Sequence, residues 1–231
     1  MTLTRSALDI DYPESDGKPM GETDLHRSWI VRLIDMLTYR YRGQRVYVSG
    51  DLLVYFEEGR PKKFVVPDVF AVKNCDPRQR RVFKIWEERR VPNAIIEVTS
   101  RKTKHQDQRT KPKTYARLRV PEFFLYDPTG DYLNPALQGF RLLRGAYCRI
   151  EPDTGGALVC EQLNLLLRLD DGRLCLFDRT TGEQLLTEGE AERQAREVEQ
   201  QAREAERRAR LAAEAEVRRL RKLLRGRNGG G

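Results

Sequence analysis

Residues 93–100 read "NAIIEVTS", and the fold turns on how that octapeptide is understood. Ala94, Ile95, Ile96 and Val98 make a short strand that is apolar on both faces, the pattern of a strand covered on both sides. Glu97 stands inside it. An unpaired carboxylate in that setting costs several kcal/mol, on the order of the usual burial penalties, so the charge must be neutralised, paired or given a cation. Downstream, residues 107–118 read as a helix and "EFFLYDP", residues 122–128, as a further strand. A strand that leaves through a helix and returns as a strand favours a mixed sheet with helices on its faces, and the expected class is α/β.

Upstream, "ETDLHRSWIVRLIDMLTYRYR" (22–42) places Leu25, Trp29, Leu33, Met36 and Leu37 at helical spacing, with Thr23 as N-cap and Gly43 as the stop. "VYVSGDLLVYF" (46–56) and "KFVVPDVFAV" (63–72) read as two strands joined by the turn-rich "EEGRPK", and "RVFKIWEERR" (81–90) as a short helix. Beyond Gly130 the pattern shortens to β segments, "GFRLLRGAYCRIE" (139–151) and "LNLLLRLDDGRLCLFD" (163–178), the second turning at Asp171-Gly172. These are expected to extend or flank the same sheet.

The organisation expected is a flexible tail over residues 1–18, one domain over 19–186, a long charged helix over 187–225 and a disordered tail over 226–231. In the helix, Ala191, Ala195, Val198, Ala202, Ala205, Ala209 and Ala212 step by four and three; Ala213, Val217, Leu220 and Leu224 continue with a register shift. Two readings stay open: a coiled coil with a second copy or a partner helix, and a solvated single helix.

Composition narrows the chemistry. The chain has 231 residues, enough for one well-packed domain with an appendage. Its four cysteines form no C-x-x-C pair and it has only two histidines, which argues against a disulfide scaffold and a zinc site. No apolar run approaches the roughly 20 residues of a membrane span. The expectation is a cytoplasmic protein. The formal charge is +8, and residues 61–120 alone hold 17 Lys and Arg against 6 Asp and Glu, so the basic excess surrounds the strand that carries Glu97. Such a surface suits a polyanion such as nucleic acid, or is simply a solvated face.

Asp68 occupies a similar position, flanked by Val65, Val66, Val69 and Phe70. Two neighbouring strands, each with a lone carboxylate, can pool their oxygens around one hard cation, and Mg²⁺ in such a place activates water and neutralises phosphate. The alternatives are a Pro67-Asp68 turn and a salt bridge from Glu97 to a nearby base. Asp107, Lys111 and Tyr115 are spaced by four and share one helical face, which makes Lys111 the candidate cation for the reacting phosphate; Lys102, Lys104 and Lys113 are rivals.

"PDV", "IIEVTSRKT", the D…K…Y spacing and "VPEFFLYDP" together resemble the Uma-two family, a branch of the PD-(D/E)XK superfamily of restriction-endonuclease-like proteins, over roughly residues 22–130. The resemblance implies a restriction-endonuclease-like mixed central sheet flanked by helices, here with extra C-terminal strands and a long C-terminal helix. It implies metal ligation by Asp68, Glu97 and the Val98 carbonyl, with Lys111 assisting the water. It also implies an acid from the first helix, for which Glu22 is the candidate as an outer-shell or second-metal residue; His26, four residues on, is a candidate phosphate or water contact, and the alternatives are helix-end charge for Glu22 and a satisfied, partly buried histidine for His26. Lys102, Lys104, Arg109 and Lys113 would hold the DNA backbone. Two departures stand out: Thr99 occupies the position of lysine in the simplest E-x-K, so that role passes to Lys111, and Pro112 follows Lys111, so the helix must start there or kink. The function expected is a Mg²⁺-dependent endonuclease acting on DNA, with Mn²⁺ as a substitute. The alternative is a catalytically silent nuclease fold serving as a DNA-binding or assembly module.

Overall fold

In the computed structural model the described residues are 11–15 and 23–227, those from 220 onward by backbone alone. The chain divides after Leu185 into two compact units.

The first unit is built on a six-stranded mixed sheet of order β1-β4-β6-β7-β8-β9, comprising β1 (Val46–Ser49), β4 (Val69–Lys73), β6 (Ala94–Val98), β7 (Glu122–Tyr126), β8 (Leu137–Leu143) and β9 (Ala146–Arg149). β6 and β7 pair in parallel and every other neighbouring pair is antiparallel. The central strand is "NAIIEVTS", buried along its whole length. Its alternation sends Ala94, Ile96 and Val98 into one core and Ile95 into a second, where Tyr115, Phe123 and Leu125 meet it.

Helix α1 (Asp24–Arg40) covers the first core with Trp29, Ile30, Leu33, Met36 and Leu37, and the Thr23 hydroxyl caps it by accepting the His26 amide at 3.2 Å. Leu25, placed by its spacing on the same seam, lies in the first turn and is exposed. The same core includes residues of a three-stranded antiparallel sheet, β10 (Leu158–Cys160), β11 (Leu165–Asp170) and β12 (Arg173–Asp178). The C-terminal segments thus do two things: β8 and β9 extend the main sheet, while β10–β12 form a sheet of their own.

The two long strands expected near the start are each broken. β2 (Val54–Tyr55) and β3 (Phe64–Val65) leave the main sheet and pair with β5 (Phe83–Lys84) in a small second sheet. The helix expected over residues 81–90 shrinks accordingly to α2 (Ile85–Glu88). Residues 11–15, inside the stretch expected as a tail, reach this sheet: Tyr12 packs edge-on against Tyr55, whose hydroxyl donates to the Pro13 carbonyl at 2.6 Å.

Gly50 marks the first break, and its reason is steric. A Cβ there would lie 2.0 Å from the carbonyl oxygen of Asp68 and 2.8 Å from Ile34 Cδ1. No side chain fits while the two backbones keep this approach, so Gly50→Ala is expected to push the Asp68 backbone aside and to cost about 3 kcal/mol by analogy with overpacked cores. Urea denaturation reads the loss; a midpoint equal to wild type would show that the approach is not needed.

The second unit carries α4 (Glu188–Arg227). Thr187 and Glu190 form a reciprocal capping box, each side chain accepting the other's amide, at 3.2 and 3.0 Å. Along the shaft Glu192–Arg196, Glu199–Arg203 and Glu204–Arg208 pair at i,i+4, and Val198, Leu211 and Val217 are exposed. No helix among the described residues is long and apolar enough to cross a membrane.

Candidate active site

The β4–β6 ladder ends at Val69 opposite Ile96, so the next positions, Asp68 and Glu97, face each other where regular pairing stops. Pro67 has no N–H to continue it. The acids take over the amides that the ladder releases. Asp68 Oδ2 accepts the Val98 N–H at 2.7 Å, and Glu97 Oε2 accepts the Asp68 N–H at 3.2 Å. In a strand the carbonyl of a residue leaves on the same edge as its own amide, so the Val98 carbonyl faces the same gap.

The lysine arrives from the other side of the gap. A π-helical turn spans Gln106–Thr110, closed by the Lys111 amide on the Gln106 carbonyl, and α3 (Lys111–Arg117) begins directly after it. That junction resolves the proline: Pro112 falls in the first turn of α3, where its missing N–H costs no helical bond. It also aims three side chains inward. Lys111 Nζ lies 2.7 Å from Glu97 Oε2, 3.1 Å from Asp107 Oδ1 and 3.5 Å from Asp68 Oδ1. The Tyr115 hydroxyl donates to Glu97 Oε1. Glu97, Asp107 and Tyr115 are completely buried and Asp68 nearly so.

Three carboxylates therefore share one ammonium. Burial drives the Glu97 carboxyl up, against the pull of Lys111 and with the help of Asp68 and Asp107. Asp107 rises for the same reasons. Asp68 goes the other way: burial alone would raise it, but Lys111, His26 and the Val98 amide outweigh burial and hold it low. Lys111 is held well above its ordinary value, its desolvation overcome by Glu97, Asp68 and Asp107.

Of the other sequence candidates, His26 is buried with Nε2 3.6 Å from Asp68 Oδ2, so it borders the acids from α1. Lys102, Lys104, Arg109 and Lys113 are exposed around the loop and helix. Glu22 lies outside the described residues. Thr99 is buried at the E-x-K position, and its hydroxyl has no hydrogen-bond partner among the described residues. The sequence candidates assign no role of their own to Tyr115 or to Asp107. The spacing of Asp107 from Lys111 and Tyr115 is visible in the chain, but its setting, "KHQDQRTK", looks solvated and gives no sign of burial.

A divalent cation suits this donor set in kind: all three acids offer hard oxygens, they outnumber the ammonium, and among the described residues neither Asp107 oxygen accepts a well-formed hydrogen bond. Among the described residues, no group of three or more His, Cys, Asp or Glu side chains is already arranged to hold a metal ion. Lys111 supplies the positive charge that the acids share here.

The site thus consists of paired acids at the end of two sheet strands and a lysine delivered by the next helix. The chain belongs to the Uma2 family, described as "Putative restriction endonuclease", which matches residues 6–170, well over half of the sequence. That membership supports a nuclease acting on nucleic acid. Among solved structures, a "putative nuclease belonging to DUF820" from Anabaena variabilis ATCC 29413 is similar, with 17% identity, a TM-score of 0.43 and coverage of 68% of this chain and 87% of that one. The comparison with curated proteins gives no significant match.

Proposed function

We propose that the protein is a metal-dependent endonuclease that hydrolyses DNA phosphodiester bonds, using Mg²⁺ or Mn²⁺. The observation that carries this reading is the cluster of three buried carboxylates around Lys111, at the end of the sheet and within the basic segment 61–120. Asp68, Glu97 and the Val98 carbonyl would hold the cation, which when bound supplies Lewis acidity at the phosphate. The chain's own groups do the rest. The Val98 amide and His26 fix Asp68; the Tyr115 hydroxyl and the Asp68 amide fix both oxygens of Glu97. With those acids engaged, Asp107 remains as the partner that keeps Lys111 protonated, so that Nζ can orient the attacking water and stabilise charge on the phosphate. Lys102, Lys104, Arg109 and Lys113 would hold the backbone through phosphate contacts.

One observation favours a catalytically silent module instead: Lys111 already bridges all three acids, as it would in a site that no longer takes a metal. Nicking of supercoiled plasmid separates the two. The expected result is nicking with Mg²⁺ or Mn²⁺ and none with EDTA; salt-sensitive binding without nicking under any metal would favour the silent module. Removing residues 187–231 is expected to leave the nicking rate unchanged, because every residue assigned to the chemistry lies before Leu185. Loss of nicking on truncation would make α4 part of the active enzyme.

A further inference from the structure

Beside the carboxylates, on the same face of the sheet, lies a cavity of about 490 Å³ that the proposed chemistry does not use. Its floor includes Leu125, the register partner of Glu97 on β7, and its edge includes Gln108 and Pro112, the chain neighbours of Asp107 and Lys111. Leu125 thus lies on the strand next to that of Glu97, one strand spacing, about 4.8 Å, away.

The lining has a definite chemistry. Tyr132, Phe140 and Tyr147 are half-buried rings on its wall, and Gln108, Asn134 and Gln138 add side-chain amides, of which Gln108 and Gln138 already donate one N–H each, to the Tyr132 and Pro135 carbonyls at 3.4 and 3.0 Å, and keep their oxygens and second N–H groups. No lining residue carries a formal charge. The rings are braced: Phe140 stacks on Phe123 with centroids 4.8 Å apart and planes within 11°, and the Tyr147 hydroxyl donates to the Val120 carbonyl at 2.8 Å. At the rim, Lys104 Nζ lies 5.5 Å from the centre of the Tyr132 ring.

A phosphate would call for cations in the wall, and an aliphatic group would have no use for three amides. A flat heteroaromatic ring with both donors and acceptors on its edge uses both features, by stacking on the rings and hydrogen bonding to the amides. The cation at the rim suits the phosphate attached to such a ring. We propose that the cavity receives one unstacked nucleobase of the strand being cut, which makes single-stranded or locally opened DNA the preferred substrate. This rests on the nuclease reading for its substrate, but it makes a separate claim about where a base sits.

The test uses single-stranded oligonucleotides carrying 5-iodouracil, irradiated with the full chain in EDTA, with adducts mapped by peptide mass spectrometry. Adducts are expected on Tyr132, Phe140 or Tyr147. Tyr132→Ala is expected to weaken oligonucleotide binding about tenfold, the usual scale of one base–aromatic stack, and Gln138→Ala, which keeps the rings, to weaken it less. With Mg²⁺, a duplex containing an unpaired bubble should be cut faster than the same duplex fully paired. Adducts confined to other surfaces, alongside normal cleavage, would overturn the base site and leave the nuclease intact. Adducts in the cavity without cleavage of any substrate would uphold the base site and remove hydrolysis. Competition by dUMP as effective as by the oligonucleotide would overturn the assignment to a strand.

Discussion

Glu97→Gln is expected to abolish metal-dependent nicking, by on the order of a thousandfold or more, the size expected when a metal-holding carboxylate is lost. It should do so with the fold intact. The glutamine oxygen can take the Lys111 ammonium and the Asp68 amide that Glu97 Oε2 accepts, while its NH₂ donates to the Tyr115 phenol in place of the present Tyr115-to-Glu97 bond. The change removes an acid whose charged form burial already disfavours, so thermal stability without metal should hold or rise. The combination is what gives the test its force. A purely structural glutamate, present only to pair with Lys111, would lose stability on this change and leave nicking alone. Circular dichroism melting beside plasmid nicking reads both quantities, and full nicking activity in Glu97→Gln would remove Glu97 from the chemistry.

How far the site could be read from the chain depends on which physical signal each residue leaves. Glu97 is legible because a charge inside an apolar run is costly wherever the strand ends up, and Asp68 because it repeats that anomaly. The central β6–α3–β7 unit follows from the same stretch, since its parallel pairing needs a crossover. Asp107 leaves no such signal. Its burial comes from the π turn, in which the Lys111 amide reaches back five residues to Gln106, and no propensity in "KHQDQRTK" announces that. The small β3-β2-β5 sheet is hidden for a related reason: "VYVSGDLLVYF" keeps its β character throughout, and only the approach of the Asp68 backbone to Gly50 shows why it must break. Likewise β10–β12 have ordinary strand patterns, but which sheet they join is decided by the core they complete against α1.

Lys111→Met should unfold the metal-free protein more readily than any other single change at the site, by about 3–5 kcal/mol, the range for stripping a buried charge of its partner. Asp68, Glu97 and Asp107 would then be left with no ammonium among them. Each could escape the cost only by taking a proton, and that sets the pH dependence. Glu97 and Asp107 already sit above their ordinary values, through burial first, with Lys111 the main force holding them down. Without Lys111 they rise further, so at neutral pH the folded state holds more protons than the unfolded one. The variant's stability is then greatest below the unfolded carboxylate range, about pH 4, and falls as pH rises through the folded values. Asp68 contributes in the opposite sense in the wild type: it is held low, so its share is present at neutral pH and lost on acidification. A divalent cation should substitute for the missing ammonium, since anything that binds only the folded state stabilises it. Mg²⁺ is therefore expected to raise the variant's Tm at pH 7.5 more than the wild type's, with Lys113→Met, an exposed neighbour, responding as wild type does. A Lys111→Met protein as stable as wild type and indifferent to both pH and Mg²⁺ would mean that the three acids are not held as a charged cluster, and the metal site would fall with it.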